Sequence, residues 1–276
     1  MLHDAVGRSA LSPPSPKGLI MTESASVVAG LGTVIGIWAH PDDEAYLSGG
    51  LMGLARDHGS RVVCVTATRG ELGTPDPATW PPQRLAAERT VELARCLELL
   101  GVSEHHWLGY RDGGCADIPA SEAVDRLCDL IDDVGPDTVL TFGPDGITGH
   151  PDHQAVSAWV TAAFARSAPP RARLLHSTVP ARHVSRWRDL DDSLGVYLPG
   201  YPVATPDERL AVDLVLPPEV AARKVAALAA QTTQTGGLLA AMGVDRYTAW
   251  VSDESFVEHH RQAPIAERPG VQITRA

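Results

Sequence analysis

Short apolar runs alternate along the chain with longer stretches in which apolar side chains recur at helical spacing. The short runs predict buried β-strands, and the periodic stretches predict amphipathic α-helices. The predicted strands are residues 33–38, 61–66, 105–108 and 138–142. The predicted helices between them are residues 47–58, 84–100 and 122–134.

Helical spacing also predicts which side of each helix is buried. In the helix over residues 84–100, the predicted core positions are Leu85, Val91, Ala94, Leu97 and Leu100. Ser121 is the predicted N-cap of the next helix. Farther along, residues 209–216 predict a strand and residues 217–230 a helix opened by prolines. Residues 177–207 have weak periodicity, which predicts an irregular, variable wall of a binding pocket.

The alternation of strands and helices predicts an α/β fold with a Rossmann-like, mostly parallel sheet and helices on both faces, because parallel strands need right-handed crossovers. Ligands of such sheets bind beyond the carboxyl ends of the strands. We expect a flexible tail over residues 1–30, one domain over residues 31–262 and a second flexible tail over residues 263–276. The first tail lacks the apolar region of a signal peptide, and either Met1 or Met21 can be the start.

Composition and charge narrow the classes of partner. The 276 residues are 44% hydrophobic, yet no apolar run approaches the roughly 18 residues of a membrane span, so membrane insertion is not expected. A formal charge of −11 with 23 scattered Lys and Arg residues argues against nucleic acid. Four cysteines without a CxxC pair suit a reduced, cytoplasmic protein. A small-molecule partner is therefore expected, and the sequence leaves the oligomeric state open.

Two short segments carry most of the residues capable of chemistry, and each directly follows a predicted strand. The first is AHPDDE at residues 39–44, and the second is GHPDH at residues 149–153. Because parallel strands bring their carboxyl ends to one edge of the sheet, both segments are expected at that edge. Their prolines suit the first turn of a helix. We therefore interpret the segments as two halves of one site.

The side chains of the two segments are typical of a metal site. They are His40, Asp42, Asp43, Glu44, His150, Asp152 and His153. A single His or Asp at a strand end more often serves the hydrogen bonding of a turn. The convergence of two such segments instead favours a shared divalent ion such as zinc, which takes three protein ligands and one open position in catalytic sites. A further carboxylate beside the ion can act as a general base.

Together, AHPDDE and GHPDH resemble the motifs of the PIG-L/LmbE-like family of zinc-dependent N-acetylglucosaminyl deacetylases, which includes enzymes of mycothiol biosynthesis and of glycopeptide antibiotics. The resemblance covers residues 33–256. It implies an LmbE-like three-layer fold. It also implies removal of an N-acyl group, acetyl in the first instance, from an N-acetylglucosamine-type conjugate by zinc-activated water.

The same resemblance implies a role for each motif residue. His40, Asp43 and His153 match the zinc ligands, with iron(II) as the alternative ion in the cell. Asp42 matches the general base. His150 matches the residue that steadies the tetrahedral oxyanion, and Asp152 matches a partner that orients His150.

Three further residues resemble family positions that bind hydroxyl groups of the glucosamine. These are Glu71, Arg84 and Asp112. Ordinary structural roles compete with these assignments, since Arg84 can pair with Glu88 along a helix and Asp112 precedes a turn-forming Gly-Gly pair.

Two positions depart from the relatives. Thr148 stands where mycothiol-pathway deacetylases have Tyr, and Gln231 stands where similar sequences often have His. Both departures leave the metal ligands intact and bear on the choice of substrate.

Two alternatives come from other functional classes. Two histidines and one carboxylate also form the iron(II) site of oxygenases, but those enzymes are all-β jelly rolls, which the helical periodicity contradicts. A non-catalytic sugar-binding protein with a structural metal is the other alternative. Asp42 argues against it, because a closed structural site needs no additional carboxylate.

Overall fold

A mostly parallel β-sheet runs through residues 27–261, the part of the chain that the computed structural model describes. Its strands are β1 (Val34–Trp38), β2 (Val62–Thr66), β3 (Glu104–Trp107), β4 (Thr138–Phe142), β5 (Arg173–Pro180), β6 (Ala204–Thr205), β7 (Val212–Val215) and β8 (Asp253–His259). Their spatial order is β3-β2-β1-β4-β5-β8-β7, with β6 beside β5. Only the pairings of β8 with β5 and β7 are antiparallel among these strands.

Helices cover both faces of this sheet. They are α1 (Asp43–Asp57), α2 (Pro82–Leu99), α3 (Ala120–Val134), α4 (Pro151–Ser167), α5 (Ala181–Leu194), α6 (Pro218–Ala229), α7 (Thr232–Met242) and α8 (Val244–Val251). One layer contains α1, α2 and α6, and another contains α3 packed on α4. Every residue of β1, β2 and β4 is buried, which requires cover on both faces because successive side chains point to opposite sides of a strand. The predicted α/β fold is confirmed.

The chain reverses its direction of travel across the sheet at β1 and β4. From β1 it proceeds outward to β2 and β3, and it then returns to the other side of β1 and continues through β4 and β5. The loops that follow β1 and β4 therefore diverge at a topological switch point, where open α/β sheets leave a crevice. These loops contain the two His-Pro-Asp segments.

A buried ion pair ties the α1 and α6 layer to the sheet. The Lys224 ammonium lies 2.7 Å from the Glu254 carboxylate, and both side chains are fully buried. Lys224 also donates to the carbonyl of Tyr46, and Glu254 accepts the backbone N–H groups of Gly50 and Leu51. Both charges thereby fix the middle of α1, the helix that begins in the first motif.

Predictions for three individual helix positions are wrong. Val91 is 57% exposed and Ala94 is also exposed, because α2 turns a face containing Leu93 toward the core. Ser121 is not the N-cap of α3, since the helix already begins at Ala120 after Pro119 and no side chain caps it. The weakly periodic residues 177–207 contain α5 and also line the cavity described below, as expected of a pocket wall.

The predicted domain limits stay predictions, with one adjustment at the first tail. Val28 lies inside that tail, yet it is 1% exposed and belongs to the hydrophobic core. Residues 1–26 and 262–276 lie outside the described part of the chain. Among residues 27–261, no helix combines the length and apolar character that crossing a bilayer requires.

Candidate metal centre and active site

His40 and His153 meet across the switch point, although each comes from a different motif. Nδ1 of His40 lies 3.1 Å from Nε2 of His153. The Asp43 carboxylate completes the group, with one oxygen 3.3 Å from His153 Nε2 and the other 3.6 Å from His40 Nδ1. Tetrahedral coordination with bonds of about 2.0–2.2 Å separates ligand atoms by about 3.3–3.6 Å. The separations among these three side chains are therefore close to those of ligands around one small divalent cation.

The remaining ring nitrogens of both histidines face hydrogen-bond acceptors. Nε2 of His40 lies 3.1 Å from an Asp112 oxygen and 3.2 Å from an Asp152 oxygen. Nδ1 of His153 lies 3.0 Å from the carbonyl oxygen of Gly146. When these nitrogens donate, the lone pairs of His40 Nδ1 and His153 Nε2 are left facing the Asp43 carboxylate. A metal-binding histidine is typically oriented in this way.

Two other groups of side chains also bring ligand atoms within 4.8 Å of one another. They are His40 with His150 and His153, and His40 with Asp112 and Asp152. The second group contains only one of the two facing histidines, and both of its carboxylates lie against the same nitrogen, Nε2 of His40. Asp152 accepts the backbone N–H groups of Gly113 and Cys115, and Asp112 accepts that of Leu72. We therefore interpret Asp112 and Asp152 as partners that orient His40.

The surroundings of His40 favour positive charge. Burial lowers the pKa of His40, but the carboxylates of Asp112, Asp152 and Asp43 outweigh it and raise the pKa to about 10. His153 lacks such a pair of carboxylates, and its burial lowers the pKa to about 4. The cluster thus combines a neutral ring with a strongly negative field, which is a suitable environment for a bound cation.

Asp42 occupies the cavity beside this cluster in an uncommon backbone conformation. Its φ of 106° lies in the region that non-glycine residues rarely adopt, at a cost of about 1–3 kcal/mol. The Asp42 N–H donates to the Glu44 carboxylate, and Arg89 donates to the carbonyl of Pro41, so the strained turn is held on both sides. Asp43 points to the histidines, whereas Asp42 keeps a separate carboxylate that lines the cavity.

The Asp42 carboxyl resists ionisation in the absence of a cation. Burial raises its pKa to about 8, and Asp43 and Glu44 add to this effect while Arg89 opposes it. A divalent cation in the adjacent cluster would favour the ionised carboxylate. The structure therefore places a titratable carboxyl beside the cluster, where a bound cation would favour its ionised form.

His150 also lines the cavity, at the N-terminus of α4. Its Nδ1 accepts the backbone N–H of Asp152 at 3.1 Å, which places the proton of the neutral ring on Nε2. Burial and the neighbouring His40 lower the pKa of His150, so the neutral form prevails. Asp152 thus contacts His150 through its backbone N–H, while its carboxylate lies 3.2 Å from Nε2 of His40. Its role in orienting His150 stays a prediction.

The three predicted sugar contacts fall in different places. Asp112 lines the cavity, with its carboxylate against His40. Glu71 is outside the cavity lining and accepts the backbone N–H of Asp112 at 3.0 Å. Arg84 is exposed on α2, donates to the carbonyl of Thr79 and stacks over the ring of Trp80. The structure brings only Asp112 to the site.

Arg89 is a site residue that the sequence interpretation missed. It is 3% exposed and lines the cavity, and its guanidinium lies 3.4 Å from the Asp42 carboxylate. It also donates to the carbonyl of Gly70 at 2.8 Å, while its Nε has no partner among the described residues. The available signal was its position on the buried face of α2, four residues from both Leu85 and Leu93, where an apolar side chain is expected.

Arg89→Met should lower kcat/KM for the reaction proposed below about 10- to 100-fold. The change removes the donors that hold the strained turn at Pro41 and Asp42. Arg95→Met is the matched control on the exposed side of α2. Steady-state kinetics of both variants test the expectation. Equal activity of the two variants would show that Arg89 does not contribute to the activity of the site.

The two departures from the relatives lie against the motif residues. The Gln231 amide donates to the Glu44 carboxylate at 2.7 Å and is almost fully buried. Thr148 lies 3.3 Å from Nδ1 of His153 through its hydroxyl. Thr148 thus contacts the back of a candidate ligand, and its short side chain offers no phenol to the cavity.

Residues 35–164, which contain both motifs, match the family model described as PIG-L, GlcNAc-PI de-N-acetylase. The resemblance to the PIG-L family is confirmed. Among curated relatives, a 1D-myo-inositol 2-acetamido-2-deoxy-alpha-D-glucopyranoside deacetylase of Kineococcus radiotolerans is 35% identical over 175 residues, which is 53% of this chain and 48% of the relative. The protein of the same description from Saccharomonospora viridis is 36% identical over 171 residues, 54% of this chain and 63% of the relative. The chain spans about half the length of the curated relatives it matches.

Solved structures share the fold of this chain. The N,N'-diacetylchitobiose deacetylase from Pyrococcus horikoshii superimposes with a TM-score of 0.58 at 20% identity, covering 90% of this chain and 94% of that one. A conserved protein of Thermus thermophilus gives a TM-score of 0.55 at 25% identity, covering 89% of this chain and 100% of that one. A zinc-inhibited form of a teicoplanin deacetylase gives a TM-score of 0.57 at 16% identity, covering 82% of this chain and 96% of that one.

Proposed function

We propose that this protein is a metal-dependent hydrolase that removes an N-acyl group, acetyl in the first instance, from an N-acetylglucosamine-type conjugate. The observation that carries the proposal is the cavity in which His40, Asp43 and His153 converge while Asp42 remains a separate carboxylate. Support for an amino-sugar amide comes from the curated relatives, whose description is a deacetylase of an acetamido-deoxy-glucopyranoside.

Zinc is the proposed ion, and iron(II) is the alternative with the same ligand set. Two imidazole nitrogens and the Asp43 carboxylate suit either ion, and three protein ligands would leave one position of a tetrahedral site open. When bound, zinc supplies Lewis acidity that polarises an amide carbonyl and lowers the pKa of water toward neutrality.

The residues of the chain would divide the proton transfers and the charge stabilisation between them. Asp42 accepts the proton of the attacking water and returns it to the departing amine. The Nε2–H of His150 donates to the oxyanion that develops on the carbonyl oxygen. Asp152 and Asp112 keep His40 in the orientation that presents Nδ1 to the ion. The products are a carboxylate, acetate for an acetyl group, and a free amino sugar.

His40→Ala should lose metal before anything else, because it removes one of three ligand atoms. His106→Ala, on an exposed residue of β3, is the matched control. Metal content is measured after purification without added metal, and amine release is then assayed with zinc or iron(II) under anaerobic conditions. Full zinc occupancy in His40→Ala would remove His40 from the ligand set.

The same assay separates the proposal from the oxygenase alternative. A hydrolase should release amine without dioxygen, and a chelator should abolish that release until metal is restored. A strict requirement for iron(II) together with dioxygen would contradict the proposed function.

A further inference from the structure

The cavity that contains the candidate metal site also has an apolar wall from the C-terminal part of the chain. The cavity has a volume of about 610 Å³. We call six apolar lining residues from the C-terminal part the apolar wall: Leu194, Val196, Tyr197, Leu238, Trp250 and Val251. Other apolar lining residues, among them Tyr46, Leu47, Leu72 and Ile147, come from the N-terminal part. All six residues of the apolar wall lie beyond residues 35–164, the segment that matches the family. The metal site and the apolar wall therefore come from different parts of the chain.

The side chains of the apolar wall are fixed but are not fully enclosed by the protein. Val196, Tyr197 and Leu238 are half-buried, with one side against the hydrophobic core and the cavity on the other. Trp250 is held in place because its indole N–H donates to the Asp191 carboxylate at 3.0 Å. A ligand that contacts this wall would remove apolar surface from water without requiring the wall to rearrange.

The charged groups of the cavity do not suit a phosphate. Among the described residues, Arg89 is the only arginine of the lining, and no lysine belongs to it. Arg89 already donates to the carbonyls of Pro41 and Gly70. A phosphate in the cavity would lack the free cationic donors that bind such groups in proteins.

The lining next to the apolar wall carries negative charge instead. Asp253 lines the cavity two residues after Val251, and its carboxylate lies 3.6 Å from His183. Burial alone would raise the pKa of Asp253, but the close contact with His183 and the charges of Arg182 and Arg186 keep it below the usual value, so the carboxylate is ionised at neutral pH. Repulsion by this charge adds to the shortage of free cations.

We infer that the aglycone of the substrate is a neutral apolar group, an alkyl chain or an aromatic ring, that binds against the apolar wall. This inference rests on the proposed function, because it concerns the other half of the same substrate. The inositol in the description of the curated relatives does not decide this half, since the relatives match only 53–54% of this chain.

The test compares amine release from methyl and octyl N-acetylglucosaminides, in both anomers, with that from N-acetylglucosamine 1-phosphate and an inositol N-acetylglucosaminide. The octyl compound should have a kcat/KM at least about tenfold above that of the methyl compound, which requires burial of only about two additional methylene groups. The 1-phosphate should not exceed the methyl compound.

Leu238→Asp tests the wall itself, because it places a charge among the apolar side chains. The octyl-to-methyl ratio of kcat/KM should fall toward one in this variant. Ala240→Asp, at an exposed position of the same helix α7, is the matched control and should keep the parental ratio. Val196→Asp, in the loop after α5, is a second variant that does not depend on the folding of α7.

The outcomes distinguish the inference from the proposed function. Turnover of the methyl compound with no gain from the octyl chain, or with the inositol or phosphate compound preferred, would overturn the apolar aglycone and leave the deacetylase intact. An unchanged ratio in both Leu238→Asp and Val196→Asp would also overturn it. No amine release from any compound by the metal-loaded protein would overturn both.

Discussion

Asp42→Asn is expected to lower kcat about 100- to 10,000-fold while leaving the metal bound. The change removes the carboxylate proposed to accept the proton of the attacking water, and general bases typically contribute this range. The backbone should tolerate the variant, because Asn is among the residues that best accept a positive φ and Asp42 has a φ of 106°.

Asp43→Asn provides the contrast, because the same chemical change is made one residue along the chain. Asp43 faces both His40 and His153, so its neutralisation should release metal and abolish activity together. Metal content and single-turnover amine release are measured for both variants. Parental activity in Asp42→Asn would refute the assignment of the general base, and metal loss equal to that of Asp43→Asn would make Asp42 a ligand.

Lys224→Met is expected to destabilise the protein by about 3–5 kcal/mol, since it leaves the fully buried Glu254 carboxylate without its cation. The carbonyl of Tyr46 also loses a donor in this variant. Arg223→Met is the matched control on the same helix, because Arg223 pairs with the largely exposed Asp57 and such a surface pair contributes about 1 kcal/mol or less.

Urea denaturation of the two variants compares these values directly through the midpoint and slope of each transition. If Lys224→Met lowers the free energy of unfolding by no more than Arg223→Met does, the buried pair does not stabilise the contact of α6 with α1 and β8. A much larger loss of unfolding free energy in Lys224→Met would instead link the stability of the α1 layer to the position of the first motif, because α1 begins at Asp43.

The local sequence pattern was sufficient to predict the strands and the helix that flank the two motifs. The apolar run before His40 became β1, the run over residues 138–142 became β4, and Pro151 became the first residue of α4. The periodicity of strands and helices is local information. It is easily recognised in this chain because strands buried on both faces appear as unbroken apolar runs. The place of both motifs at one edge of the sheet followed from the parallel order of the strands.

Local pattern was insufficient where a side chain responds to its neighbours in space. Arg89 looks like one of several charges on α2, and only the approach of the Pro41 loop makes it part of the site. Arg84, on the same helix, was expected at the sugar and is exposed. Likewise, the Asp152 carboxylate contacts His40, which is distant in sequence, and spacing along the chain does not predict this contact.

The sequence by itself determined the α/β class, the two motif segments and the chemical character of their side chains, because these depend on periodicity and composition. Only the tertiary structure decided that β1 and β4 are neighbours, which brings Nδ1 of His40 to 3.1 Å from Nε2 of His153. It also decided that α7 and α8 return to the cavity and contribute to its apolar wall. The physical reason is that ligand sets and pocket walls form between residues distant in sequence, and their contacts are fixed by how the layers pack and not by any local preference.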